Sequence, residues 1–251
     1  MKDKFRIATY FLRSFFLQSL WNFEQMQNVG FAYCMLPLLR TLYCDPQERR
    51  AAVQRQLGFF NTHPYMVSII LGLAMSMERE HAVSHNVRVE EIITIKKNMA
   101  GPLAAIGDNF FWGTWRPFVG VMAAGIAIAF FGDHAINWPW AAPLFFVALY
   151  NLLSMGFRFW SLKISFNYRE QIIRDIAGLR MQSARNAINA IGSIVAALIV
   201  IVYVLKFSHN VRDALLLAVF FSGALVCAYV KMSANLVFYG AVAVCIGVAF
   251  L

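Results

Sequence analysis

Charge is what this chain has least of. Asp, Glu, Lys and Arg together make up 14% of its 251 residues, against 60% hydrophobic residues, a balance that excludes an ordinary soluble domain and a disordered one. Cysteine is sparse as well. Cys34, Cys44, Cys227 and Cys245 form no C-x-x-C pair, and the last two fall in apolar runs. That pattern speaks against a disulfide framework or a metal site and for small packing residues. No P-loop, G-x-G-x-x-G or nucleophile elbow occurs, and none of the five histidines stands at metal-ligand spacing from another His or a carboxylate. His81 and His85 are four apart, but in a segment that reads as exposed. Low-complexity stretches and obvious repeats are missing. The first 30 residues lack an apolar region followed by a small-residue cleavage site, so no cleavable signal peptide is expected. The residues offer no catalytic constellation, and no cofactor or metal is expected.

What the chain does have is long runs without a single charge. Ala135–Phe157 (23 residues), Asn186–Leu205 (20), Met232–Leu251 (20), Ala214–Val230 (17) and Pro117–Gly132 (16) approach or exceed the length that crosses a bilayer. The expectation is an all-α polytopic membrane protein with about five transmembrane helices. The net charge of +9 is spread over loops between spans, which argues against nucleic acid and follows the positive-inside rule. The basic loop 158–185 carries Arg158, Lys163, Arg169, Arg174, Arg180 and Arg185 and is placed in the cytoplasm. Alternation then puts Arg116 and Lys231 inside, and Asp133, His134, the segment 206–213 and the C-terminus outside.

The first half, residues 1–116, is mixed in character. Phe5, Ala8, Leu12, Phe15 and Phe16 recur at three-four spacing, with Arg6 and Arg13 on another face. This reads as an N-terminal amphipathic helix lying on the membrane, clasping a partner, or simply packed. Trp21–Tyr43 sets Asn22, Glu24, Gln25, Gln27 and Asn28 among aromatic and apolar residues, as a helix with polar side chains facing protein, a wet cavity or interfacial water. Asp45-Pro46-Gln47-Glu48 is a helix start, with Asp45 as cap and Pro46 at the first helical position. Arg49, Arg50 and Arg55 are expected to hold that helix at an aqueous surface, and Asn61-Thr62-His63-Pro64 to end it.

Tyr65–Met77 is charge-free but too short to span, which suits a re-entrant hairpin or a buried helix. A polar excursion follows, with a surface helix bearing Ile92, Ile95 and Met99. Then comes GPLAAIGDNFFWGTWRPF, Gly101–Phe118, rich in Gly and Pro, with Asp108 and Arg116 beside a charge-free run. Charges are costly near hydrocarbon unless paired or wet, so this stretch reads as a second broken, hairpin-like insertion. Trp112, Trp115, Phe110 and Phe111 fit an interface belt or a stacking surface for a sugar ring. Domain organisation therefore reads as 1–60, amphipathic and polar helices; 61–118, a core with two re-entrant hairpin-like segments; and 119–251, transmembrane helices with the basic loop.

Several of these pieces together resemble a known family. Arg13-Ser14, Trp21-Asn22-Phe23-Glu24, Met26-Gln27, Gly30-Phe31, Phe59-Phe60-Asn61-Thr62-His63-Pro64 and GPLAAIGDNFFWGTWRP at Gly101–Pro117 resemble the IID membrane subunit of mannose/fructose/sorbose-family sugar permeases of the bacterial phosphotransferase system (PTS). The order and spacing hold over roughly the first 180 residues, and the C-terminal half looks shorter than in many members. The resemblance implies a multi-pass protein of the bacterial inner membrane that pairs with a IIC membrane subunit, in a trimer of IIC–IID pairs. It also implies a separate IIAB phosphocarrier module that phosphorylates the sugar substrate, so that this subunit is not itself an enzyme. On that basis Glu24, Gln27, Asn61, His63, Asp108 and Asn109 are candidates for sugar binding or for braces in a polar core. Trp112 and Arg116 are candidates for anchoring the hairpin at the interface, and the basic loop for docking the IIAB module or lipid headgroups. A diverged sensor without bulk transport and an unrelated ion-coupled transporter are the alternatives. The substrate class is a hexose or amino sugar.

Overall fold

The computed structural model describes residues 7–130, 140–168 and 181–207, and these are almost wholly helical. The chain divides into two compact units, Met1–Ser193 and Ile194–Leu251. In the second, the described stretch 194–207 is helical, with Ile194, Leu198, Ile201 and Val202 exposed. Every feature of the candidate site lies in the first.

In chain order the helices are α1 (Ile7–Ser14), α2 (Asn28–Leu42), α3 (Pro46–Gln56), α4 (Val67–Ser84) and α5 (Val89–Gly107). A π-helical segment (Asp108–Trp115) then leads into α6 (Arg116–Phe130), followed by α7 (Ala141–Asn167) and α8 (Met181–Phe207). Helix α4 is the core element. Its run from Val67 to Met75 is buried without interruption, and α1, α2, α5 and α7 pack around it. A helix apolar on every side must be enclosed, which is why thirteen charge-free residues form a core helix rather than a hairpin. The α4–α7 crossing is close because Gly72 has no side chain. A Cβ there would come within 2.7–2.9 Å of Ser165 Cβ, the Leu162 carbonyl and the Phe166 nitrogen. Small residues permit the same close approach in membrane helix pairs.

Local sequence explains several helix ends and joints. Asp45 Oδ2 accepts the Glu48 N–H at 2.9 Å, with Pro46 in the first turn, so α3 starts where its cap predicts. Inside α2, Pro37 has no N–H for the carbonyl four residues back, that of Tyr33. Arg13 Nη1 donates to that carbonyl at 2.7 Å, and its guanidinium lies 4.0 Å from the centre of the Tyr33 ring. One proline thus fixes α1 against α2.

Several expectations are corrected. Helix α2 begins only at Asn28; Trp21–Met26 is a tight turn in which Met26 has a left-handed φ of 59°. Helix α3 ends at Gln56, not at Asn61–Pro64. Arg55 turns inward while Arg50 stays exposed. Neither stretch read as a re-entrant hairpin turns back on itself: Tyr65–Met77 runs into α4, and 101–118 is continuous helix through the π-helical segment. Gly101 and Pro102 are exposed within α5, so they weaken the helix without ending it, and the chain makes its turn at 85–88 instead. Arg158 and Lys163 belong to α7 rather than to a loop.

Among the described residues, two helices are long and apolar enough to cross a membrane, Ala141–Asn167 and Gln182–Tyr203. The expected span at 117–132 is the 15-residue α6. The runs 214–230 and 232–251 and residues 169–180 of the basic loop lie outside the described residues.

Candidate functional site

Three segments distant in sequence converge between α2, α4 and the end of α5: residues 22–28, residues 60–65, and residues 100–112. The first two are joined by backbone hydrogen bonds, Gln27 N–H to the Phe60 carbonyl at 2.8 Å and Phe60 N–H to the Gln25 carbonyl at 3.3 Å. The amide of Gln27, fully buried, then brackets Thr62. Its Nε2 donates to the Thr62 carbonyl at 2.9 Å, and its Oε1 accepts the Thr62 N–H at 3.0 Å. Thr62 Oγ1 donates to the Ala100 carbonyl at 3.0 Å, which ties in the third segment. A buried non-helical backbone needs such partners, because each unpaired amide group left there is costly.

His63 occupies the centre. It is 2% exposed and stacks on Phe111, with ring planes 15° apart and centroids 5.4 Å apart, while Trp112 and Tyr65 close two further sides at 4.6 and 5.2 Å. Its Nδ1 accepts the Tyr65 N–H at 3.2 Å. That bond assigns the proton to Nε2, which is buried without a partner among the described residues. Burial, with the Arg158 cation nearby, lowers the imidazole to about 4, so it is neutral at physiological pH. Gly107 lies directly against this ring: a Cβ there would overlap His63 Cγ and Cβ. The glycine is required by that approach, not by a turn.

The six polar candidates therefore separate into two sets. Gln27 and His63 are buried and act on the loop itself. Glu24, Asn61, Asp108 and Asn109 are exposed on the same three segments. Asn109 Nδ2 donates to the Ala105 carbonyl at 2.9 Å. The Glu24 carboxylate lies outside the buried polar core, on the tip of the Trp21–Met26 turn. Trp112 packs on His63 and remains 45% exposed, and Arg116 is exposed at the start of α6. The π-helical segment carries Asp108 to Trp115. Arg116 N–H bonds the Phe111 carbonyl, and Thr114 Oγ1 bonds the Asn109 carbonyl five residues back. Such wide turns recur at functional sites because they re-aim side chains within a helix.

Three buried charges outside the predicted site residues, Arg158, Glu78 and Lys96, complete the region. Arg158, 3% exposed on α7, donates to the Ser14 and Pro64 carbonyls and lies over the Phe15 ring at 4.7 Å. It thereby fastens the end of α1 and the Asn61–Pro64 loop to α7. A signal existed: Ser154, Arg158, Ser161 and Ser165 recur at helical spacing as the buried stripe of an otherwise apolar helix. Glu78 is fully buried on α4. Its carboxylate accepts from Arg55 Nε at 2.6 Å and Nη2 at 2.5 Å, Gln56 Nε2 at 2.7 Å and the Tyr43 hydroxyl at 2.9 Å. Four donors match the four acceptor positions of a carboxylate. Lys96 completes the layer through the Gln56 carbonyl at 2.6 Å and the faces of Phe31 and Phe60. Burial pulls its ammonium down to about 8, with Glu78 opposing.

Exposed apolar helices, a core helix enclosed by others and a polar junction of three segments define a class: an all-α polytopic membrane protein. The comparisons agree. The family model of the PTS system mannose/fructose/sorbose family IID component matches residues 3–213. The fructose permease IID component of Bacillus subtilis (strain 168) is 34% identical over 197 residues, covering 78% of this chain and 69% of that protein. The mannose-specific EIID component of Escherichia coli (strain K12) is 35% identical over 195 residues, covering 77% and 66%. The matched stretch thus spans about two thirds of the length of these relatives. The cryoEM structure of the mannose transporter ManYZ with microcin E492 aligns with a TM-score of 0.60 at 27% identity, over 98% of this chain and 97% of that one. The chain belongs to the mannose/fructose/sorbose family of PTS IID components, membrane subunits of sugar permeases.

Proposed function

We propose that this subunit pairs with a IIC membrane subunit to carry a hexose or amino sugar across the bacterial inner membrane, as a trimer of such pairs, for phosphorylation by a IIAB module. The observation that carries the reading is the split between a pinned polar loop and an exposed polar rim. A sugar presents hydroxyls that both donate and accept. Asn61 and Asn109 offer both capacities, and Asp108 and Glu24 accept. Beneath them Gln27 and Arg158 hold the loop backbone, so the rim is presented at fixed geometry. The Nε2–H of His63, buried behind this rim, has no acceptor among the described residues. Product trapping follows from chemistry: a phosphorylated sugar is anionic and does not readily re-enter an apolar path. Phosphoryl transfer belongs to the IIAB module in this reading, and the polar groups here serve binding and positioning.

Uptake of labelled mannose, fructose, sorbose and glucosamine in cells expressing the matched IIC with this chain tests the proposal. Uptake of at least one sugar is expected with the pair and not with IIC alone. Asn61→Ala and Asp108→Asn are expected to reduce it about tenfold or more through KM, the cost of losing a buried bond to substrate. Uptake that persists without this chain would overturn the reading. Wild-type regulation with no uptake would assign the chain a sensing role instead.

A further inference from the structure

Helix α3 has two faces with opposite fates. Ala52, Arg55 and Gln56 turn inward, where Arg55 pairs with Glu78. Pro46, Arg49, Arg50, Val53, Gln54 and Leu57, at three-four spacing, turn the other way and line a cleft of about 720 Å³ against Leu36 and Arg40 of α2. Three arginines and no carboxylate line this cleft. Among the described residues, none of the three makes a side-chain hydrogen bond or ion pair. Asp45 already caps the helix end beside it, so the positive charge of the cleft comes from the arginines. Its lining also includes Leu36, Val53, Leu57 and Pro46, and Leu57 is 36% exposed.

We propose that this cleft binds an anionic phospholipid of the bilayer, with its phosphate among Arg40, Arg49 and Arg50 and its glycerol and upper acyl chain over Leu36, Val53 and Leu57. Two complementarities carry the assignment. Guanidinium groups match phosphate oxygens with paired N–H donors and remain charged at all relevant pH. An amphipathic anion covers both the cationic and the apolar parts of the lining, which inorganic phosphate does not. A membrane subunit meets such a ligand at every headgroup boundary, and basic residues there gain from the negative surface potential. The proposal is independent of the sugar.

The test uses the full chain with its IIC partner, purified in detergent, delipidated and titrated with phosphatidylglycerol or phosphatidylcholine of matched acyl chains, with native mass spectrometry as readout. Phosphatidylglycerol is expected to be preferred, and the triple variant R40Q/R49Q/R50Q to lose that preference by on the order of a hundredfold, as three surface cations predict. The variant R40K/R49K/R50K, which keeps the charge and the fold, should retain a reduced preference. Val53→Asn should weaken phosphatidylglycerol without altering any response to inorganic phosphate. Equal binding of the two lipids, unchanged binding by the glutamine variant, or displacement of lipid by equimolar inorganic phosphate would overturn the assignment. So would retention of phosphatidylglycerol only until an acidic protein segment of the IIC partner occupies the cleft.

Discussion

Helices α4 and α7 lie against each other and are built inside out relative to one another. α4 buries Ile69, Ile70, Leu71, Leu73 and Ala74. α7 buries Ser154, Arg158, Ser161, Leu162 and Ser165, and exposes Leu144, Val147 and Leu152 at 58, 56 and 74%. In water the second pattern would be unfavourable, since each exposed apolar side chain forfeits its transfer free energy. In a bilayer the apolar side chains face hydrocarbon, and association is left to small and polar groups. The pair shows that burial in this protein means contact with protein, not removal from water. The polar side chains of α7 fasten the structure, and its apolar ones meet the surroundings.

The comparison breaks most severely at buried charge. Glu78→Ala leaves Arg55 inside the protein without a counter-ion, and a loss of about 3–5 kcal/mol is expected, measured by denaturant titration of the detergent-purified protein. Glu78→Gln, which keeps the shape, should lose less. Next, truncation of the two leucine populations should give opposite results. Leu73→Ala, in the core, is expected to cost about 2–5 kcal/mol, and Leu152→Ala, on the outer face of α7, within about 0.5 kcal/mol. Equal costs would show that α7 packs against protein on that face as well.

Acid provides a finer probe of the junction that α7 fastens. The folded His63 takes its proton near pH 4, whereas an unfolded imidazole takes it at its ordinary 6.5. Between those values the unfolded chain binds more protons, so this group's stability is present above pH 6.5 and is lost as pH falls toward 4. His63→Gln should flatten that part of a stability-against-pH curve. Persistence of the slope would assign it to other groups. A smaller effect than those of the buried core groups belongs to a helix end remote from the α4–α7 contact. Asp45→Ala removes the cap of α3, and about 1 kcal/mol is expected by the same titration.

Much of the candidate site was legible because its residues are local exceptions. Gln27, His63 and Asp108 stand out as polar groups amid apolar sequence, and Asp45-Pro46 announces a helix by chemistry confined to one turn. Arg158 and Arg55 read differently. A basic residue next to a charge-free run is ordinarily a headgroup or cytoplasmic residue; only the serine stripe of α7 hints that Arg158 turns inward to the carbonyls of Ser14 and Pro64, and nothing local marks Arg55 as the partner of Glu78. Glycine and proline were equally ambiguous. The sequence around Gly101 and Pro102 predicts a break, yet the helix continues, because a break requires the loss of neighbouring helical bonds as well as weak propensity. Gly107 serves a ring forty-four residues upstream.

The sequence alone determined that the chain is helical and membrane-borne and which family it resembles, since composition, charge-free length and motif order are properties of the chain itself. Only the tertiary structure decided which polar groups are braces and which form an exposed rim. It also decided that α7 buries its serines and arginine, and that one face of α3 closes on Glu78 while the other opens a cleft of arginines. Burial and pairing depend on what lies opposite in space, and in this protein those partners stand from 12 to 144 positions away along the chain.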